Sequence, residues 1–156
     1  MKEYTYIMIK PDGVRKGLTC EIVKRIQDKG FKIELFDVRK LNADILAEHY
    51  SHLVDKPFYP TLRDFMLSDY VVPMLVSGEN AVLGMRELMG PTNSADAEEG
   101  TIRGDFGNKS FVTENVIHGS DSLENALIEI KRFFDLDLTQ GEEFNFNKSD
   151  KILEFF

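Results

Sequence analysis

Residues 115–134 read N-V-I-H-G-S-D-S-L-E-N-A-L-I-E-I-K-R-F-F. Two β-branched residues lead into a histidine, Gly119 breaks the run, and Ser120 and Asp121 offer helix-capping side chains. The stretch predicts a short strand over 116–118, a tight turn, and a helix over 121–134. Leu123, Leu127, Ile130 and Phe134 form its apolar stripe, with Ala126 beside them. Ser122, Asn125 and Glu129 fall along another line of the same helix, so Glu129 can face the strand end and orient the His118 ring. The plain alternative is a histidine at an ordinary turn and a solvated carboxylate.

Upstream, residues 4–9 are aromatic and β-branched and predict a strand, ended by the turn-forming Lys10-Pro11-Asp12-Gly13. Residues 19–29 predict a helix with Ile22, Val23 and Ile26 on one face and Gly30 as its C′ residue. Residues 31–40 predict a second strand. Asn42 is expected to cap a short helix through Tyr50, and another helix is expected over 57–68. Residues 71–77 predict a third strand, in which Pro73 points to an edge or an irregularity. A helix over 81–89 is stopped by Gly90-Pro91. Residues 91–113 show no period, and so long a loop in a compact domain is usually functional. The order β-α-β-α-α-β-α-β-α predicts an α+β fold: a ferredoxin-like α/β sandwich with a four-stranded antiparallel sheet and helices on one face.

The chain has 156 residues, the size of one domain, with 42% hydrophobic and 29% charged residues. No apolar run approaches the roughly 20 residues of a membrane span, and the N-terminus lacks the apolar stretch of a signal peptide. A single cysteine, Cys20, suits a reducing cytoplasm. The net charge of −8 argues against a general nucleic-acid binder. It leaves room for a small anionic ligand held by local cations. The acidic segment 135–156 carries Phe144, Phe146, Ile152, Leu153, Phe155 and Phe156. So many large apolar side chains need cover, so this tail is expected to pack either on its own domain, residues 1–134, or on a neighbouring subunit.

Lys10, Arg86 and Arg103 each sit where an element ends or beside glycine-rich chain, and Thr92 and Asn115 add neutral hydrogen-bonding groups. Three cations converging on a histidine would suit a polyphosphate, and arginine forks suit phosphate oxygens. Two motifs are decoys. Asp105-Phe106-Gly107 has none of the segments that accompany it in protein kinases, and G-D-F-G-N-K-S at 104–110 lacks the spacing of a phosphate-binding loop.

The chain resembles the nucleoside diphosphate kinases over about residues 4–134. The likeness is carried by I-K-P-D-G at 9–13, G-F-K-I at 30–33, E-H-Y at 48–50, K-P-F at 56–58, G-T-I-R-G-D-F at 100–106 and N-V-I-H-G-S-D-S at 115–122. The resemblance implies a hexamer or tetramer that moves the γ-phosphoryl group of a nucleoside triphosphate to a nucleoside diphosphate in two ping-pong steps, maintaining triphosphate pools. It implies His118 as the nucleophile, phosphorylated on Nδ1, and Glu129 as the acid that positions it. Lys10, Tyr50, Arg86, Thr92, Arg103 and Asn115 match phosphate and ribose contacts. Phe58, Leu62 and Val112 match the apolar clamp on the base, and Gly119 the turn that leaves the approach to His118 clear. Mg2+ is expected to ride on the nucleotide phosphates, with Asp121 as its protein contact through water. Imidazole is a good nucleophile that needs no general base, and phosphoryl transfer asks for charge stabilisation above all.

Three departures stand out. The chain is longer than the family pattern by about two residues between Phe106 and Asn115. Ser94 replaces a common proline in a loop of the family's trimer contacts. The tail from residue 135 matches none in the family. Two other readings compete: a non-catalytic nucleotide-binding domain on the same fold, and a hydrolase with His118 as general base, which lacks a Ser or Cys nucleophile.

Overall fold

The computed structural model describes residues 1–145. Phe146, Ile152, Leu153, Phe155 and Phe156 lie outside the described residues. Four strands, β1 (Lys2–Ile9), β2 (Lys32–Phe36), β3 (Val72–Glu79) and β4 (Ile117–Gly119), form one antiparallel sheet in the order β2-β3-β1-β4. The helices are α1 (Pro11–Arg15), α2 (Thr19–Asp28), α3 (Ala43–His49), α4 (Tyr59–Met66), α5 (Ala81–Met89), α6 (Ile102–Phe106) and α7 (Leu123–Phe134). None among the described residues is long and apolar enough to cross a membrane. The ferredoxin-like class and the four-stranded antiparallel sheet stand.

The sheet is covered on both faces, not one. Along β1, Tyr4, Tyr6 and Met8 join a buried cluster with Leu46 of α3, Met66 of α4, and Ile130 and Phe133 of α7. Ile7 and Ile9 join a second cluster with Ile22 and Ile26 of α2, and Met85 and Met89 of α5. An unbroken apolar run is what a strand buried on both faces needs.

Several boundaries differ from expectation for local reasons. Pro73 sits in a strand paired on both sides, opposite Met8 of β1. On its β2 side the ladder ends beside it, while the register shift of that ladder lies further along, between Ile33 and Leu35. Pairing stops at Phe36 and Met74, the Pro73 carbonyl accepts from Asp37 N at 3.0 Å, and only the bridge between Arg39 and Val71 follows. Lys10-Pro11-Asp12-Gly13 is not a bare turn, since Pro11 opens α1 with its ring at a position that needs no N–H. Residues 91–113 contain a 3-10 turn (Ser94–Asp96) and α6, whose N-cap Thr101 accepts from Gly104 N. The cap of α7 is Ser122, accepting from Asn125 N, rather than Ser120 or Asp121. The buried face of α7 runs through Ala126, Glu129, Ile130, Phe133 and the expected Phe134, while Leu123 is exposed.

Strand β4 is short, so β1 needs other partners towards its N-terminus. The Ser120 N–H donates to Tyr6 O, and Ser120 Oγ accepts from Tyr6 N. Next along, the Gln140 side chain imitates a peptide group: its Oε1 accepts from Tyr4 N at 2.6 Å and its Nε2 donates to Tyr4 O at 2.9 Å. Gly141 N then donates to Lys2 O, and the Tyr4 hydroxyl donates to the Glu142 carbonyl. Gln140→Ala leaves two strand groups unpaired and is expected to cost ~1–3 kcal/mol. Urea denaturation checks this, and an unchanged midpoint would refute it.

Candidate active site

The sequence K-P-D-G at 10–13 and N-V-I-H at 115–118 meet at the end of the sheet. Val116 has φ +75°, and Ile117 N donates to Asn115 O at 2.9 Å. This is a γ-turn of the rare positive-φ kind, an outlier for a β-branched residue. It persists because its backbone is pinned from every side. Val116 N donates to Asp12 Oδ2 at 3.0 Å, and Val116 O accepts from Lys10 N at 2.8 Å. Gly13 permits this approach: a Cβ there would lie 3.0 Å from Val116 O and 2.7 Å from Ile9 Cγ2.

Arg103 supplies the rest. Its Nε donates to Asn115 O at 3.3 Å, Nη1 to Gly90 O at 2.9 Å, and Nη2 to Ile117 O at 2.6 Å. The side chain expected to serve phosphate is thus also the clamp that fixes the chain ahead of His118. Burial pushes it down to about 10, with Arg86 adding to the effect.

A cavity of about 660 Å³ opens beside this turn, and every residue singled out above for chemistry or binding lines it. His118 Nε2 lies 2.6 Å from Glu129 Oε2. A carboxylate oxygen accepts, so Nε2 carries the ring proton and Nδ1 keeps its lone pair. Lys10 is 6% exposed, with Nζ donating to Thr113 O at 2.6 Å and Asn115 Oδ1 at 2.8 Å. Burial pushes it down to about 8; Asp12 opposes that shift and Arg103 adds to it. Asn115 Nδ2 donates to Thr92 O at 2.8 Å, tying the loop after α5 to the turn. Arg86 is exposed on the last turn of α5.

Phe58 is 53% exposed and Val112 48%, while Leu62 is packed against the core. The longer 107–114 loop that carries Val112 is closed by Asn108, whose N–H donates to Glu114 O and whose Nδ2 donates to Glu114 Oε2, both at 2.8 Å. Tyr50 has its phenol pushed up by burial and by Glu129. Asp121 accepts from Asn125 Nδ2 at 2.6 Å, and that bond first, then Arg86, holds its carboxyl below the usual range. Gly119 lines the cavity and is also required by packing. A Cβ there would meet Met89 Cε at 2.5 Å and Ile7 Cδ1 at 3.2 Å.

Among the cavity residues that the sequence reading did not single out, two touch each other. His49 is buried, with its ring 4.8 Å from that of His118. Arg132 donates from Nη1 to His49 Nδ1 at 2.9 Å. The signal for Arg132 was its place three residues after Glu129, on the same side of a helix. Among the described residues, His49, His118 and Glu129 form a trio whose donor atoms lie within 4.8 Å of one another, as a metal site requires. A cation already sits there in the Arg132 guanidinium, which takes the His49 lone pair and disfavours a metal at that point. Asp121, its carboxyl held low and at the cavity wall, has the donor chemistry that a hard cation takes.

Comparison with known proteins identifies the family. A family profile, nucleoside diphosphate kinase, matches residues 3–138. The nucleoside diphosphate kinase of Streptococcus agalactiae serotype III (strain NEM316) is 47% identical over 135 residues, covering 85% of this chain and 98% of the relative. Nucleoside diphosphate kinase A1 of Xenopus laevis is 45% identical over 148 residues, covering 95% and 92%. Among solved structures, the halophilic nucleoside diphosphate kinase from Halobacterium salinarum in complex with CDP superposes with a TM-score of 0.83 at 38% identity, covering 95% of this chain and 97% of that one. The apo enzyme of Encephalitozoon cuniculi gives 0.83 at 37% identity, covering 94% and 97%. With a family profile over most of its length and close relatives spanning nearly their whole length, the chain belongs to the nucleoside diphosphate kinase family.

Proposed function

We propose that the chain moves the γ-phosphoryl group between nucleotides by way of a phosphohistidine on His118 Nδ1. The bond between His118 Nε2 and Glu129 carries this reading, because it fixes the tautomer that leaves Nδ1 nucleophilic. In the first step the Nδ1 lone pair forms a bond to the γ-phosphorus, the bond to the β,γ-bridging oxygen breaks, and the nucleoside diphosphate leaves. Glu129 stabilises the positive ring that results. In the second step a terminal oxygen of the acceptor diphosphate takes the phosphoryl group, and His118 is restored. Lys10, Arg86 and Arg103 meet the charge on the phosphates. Thr92 and Gly119 border the same space, and Tyr50 and Asn115 serve the sugar–phosphate end. Mg2+ bound to the phosphates would neutralise part of their charge, with Asp121 as its contact through water. Residues 1–134 form the catalytic unit, assembled as a hexamer or tetramer in the cytoplasm. Phe36 and Val38, exposed at the open β2 edge, favour assembly. The test is γ-labelled ATP, followed by a search for an acid-labile, base-stable phosphoprotein that discharges on adding GDP. No such species would overturn the mechanism.

Lys10 gives this reading a pH signature. Its ammonium is pushed down to about 8 in the free protein. A polyphosphate beside it favours the charged form and raises that value again. Above about pH 8, nucleotide binding is therefore expected to take up a proton. Calorimetry in two buffers of different ionisation enthalpy measures the uptake, which Lys10→Arg should abolish. Buffer-independent heats would refute it.

Base selectivity is expected to be weak. Phe58 offers a π-face, and Leu62 and Val112 offer no hydrogen bonds to a base edge. Phe58→Ala should weaken all nucleotides alike by ~1–3 kcal/mol. Specificity constants for ATP and GTP that differ by orders of magnitude would contradict an apolar clamp.

A further inference from the structure

Two cavity residues have no part in the scheme above, and they touch each other. Arg132 Nη1 donates to His49 Nδ1 at 2.9 Å. A guanidinium only donates, so Nδ1 accepts and the His49 ring carries its proton on Nε2. That ring is wedged edge-on against His118, Tyr50 and Phe133, with centroid distances of 4.8, 4.7 and 5.1 Å. Its Nδ1 is 3.7 Å from Glu129 Oε2, the oxygen that lies 2.6 Å from His118 Nε2. Two imidazoles thus stand within reach of one carboxylate oxygen, and Arg132 occupies the nitrogen with which His49 would compete.

The charged and titratable neighbours of His49 come from every side. Lys10 follows β1, His118 is on β4, and Glu129 and Arg132 are on α7. Glu48 is on its own helix, 3.5 Å from Arg132 Nε, and His52 and Tyr50 follow that helix. Burial first, then His118, Arg132, His52 and Lys10, push His49 down to about 2, so it stays neutral through the ordinary pH range.

We propose that Arg132 is a positioning residue for phosphoryl transfer: by donating to Nδ1 it locks His49 as a neutral ring and so reserves Glu129 for His118. The proposal rests on His118 as the phosphoryl carrier. Without Arg132, His49 Nδ1 is free to take a proton and donate to Glu129. One carboxylate then serves two rings, and a positive imidazole stands edge-on to the nucleophile. Both effects grow as pH falls.

The test compares wild type with Arg132→Met, which keeps the length but removes the donor, and Arg132→Lys, which keeps a donor. Long-range 15N spectra of histidine-labelled protein report the tautomer, and single-turnover phosphorylation by ATP is followed across pH. Wild type and Arg132→Lys are expected to show His49 as the neutral Nε2–H form. Arg132→Met is expected to show a proton on His49 Nδ1, with transfer below wild type and falling further as pH drops. Adding His49→Phe to Arg132→Met should remove that acid limb. A wild-type tautomer and a wild-type pH profile in Arg132→Met, with phosphohistidine forming normally, would overturn the role alone. So would a pH-independent loss shared equally by the Lys and Met variants, which would mark Arg132 as structural support. Absence of phosphohistidine in wild type would overturn the carrier reading and this role with it. The Lys variant keeps the test open if the Met variant fails to fold.

Discussion

His118→Ala is expected to abolish phosphoryl transfer while nucleotide binding survives. The two functions separate because the phosphate cations are held independently of the ring. Lys10 is fixed by Thr113 and Asn115, and Arg103 by three carbonyls. Removing the imidazole removes the atom proposed to bond to phosphorus, and the ring is not among the groups that hold those cations. Turnover should fall to background and labelled phosphoprotein should vanish. Binding of a nucleoside diphosphate, followed by calorimetry, should stay near wild type. Glu129→Gln should act less severely, in the ~10²–10⁴ range of acid–base and orientation effects, since an amide oxygen still accepts from Nε2 but cannot balance a charged ring. Appreciable turnover of His118→Ala, purified free of host enzyme, would sink the mechanism.

The convergence of the candidate residues on one cavity was legible in the sequence. His118 and the cations could be picked out because they sit near element ends, where Gly, Pro and capping residues leave strong local signals, whereas Glu129, inside α7, was placed by its helical spacing from Ser122. The γ-turn at Val116 was not legible. Val-Ile reads as strand by propensity, and only the converging bonds from Asp12, Lys10 and Arg103 override it, from positions distant in sequence. Pro73 misled in a related way. A missing N–H is tolerated in an inner strand when the neighbouring ladder breaks beside it, and sequence does not show which neighbour that is. The second helical layer did leave a trace in the unbroken run Tyr-Ile-Met-Ile at 6–9. The role of Gln140 left none, because a side-chain amide standing in for a strand peptide has no periodic signature.

Arg86→Lys and Arg103→Lys should both lose phosphoryl transfer, by up to ~10³ where transition-state charge stabilisation is removed. They should differ in stability. Arg86 is exposed at the cavity, and its exchange for lysine should leave the unfolding midpoint near wild type. Arg103 is 6% exposed and spends three donors on the carbonyls of Gly90, Asn115 and Ile117. A lysine nitrogen is a single point and cannot span those three oxygens. The carbonyls left unpaired cost ~1–3 kcal/mol each. Two of them flank Val116, whose positive φ survives only while its surroundings hold it. Release of that turn lets residues 115–117 relax and moves His118 away from Glu129, so part of the lost rate in Arg103→Lys comes from misplacement of the ring rather than from missing charge. Urea denaturation and single-turnover phosphorylation on both variants separate these contributions. A stable Arg103→Lys with near wild-type transfer would show that neither the clamp nor the charge matters. A stable variant with lost transfer would assign Arg103 to the phosphates alone.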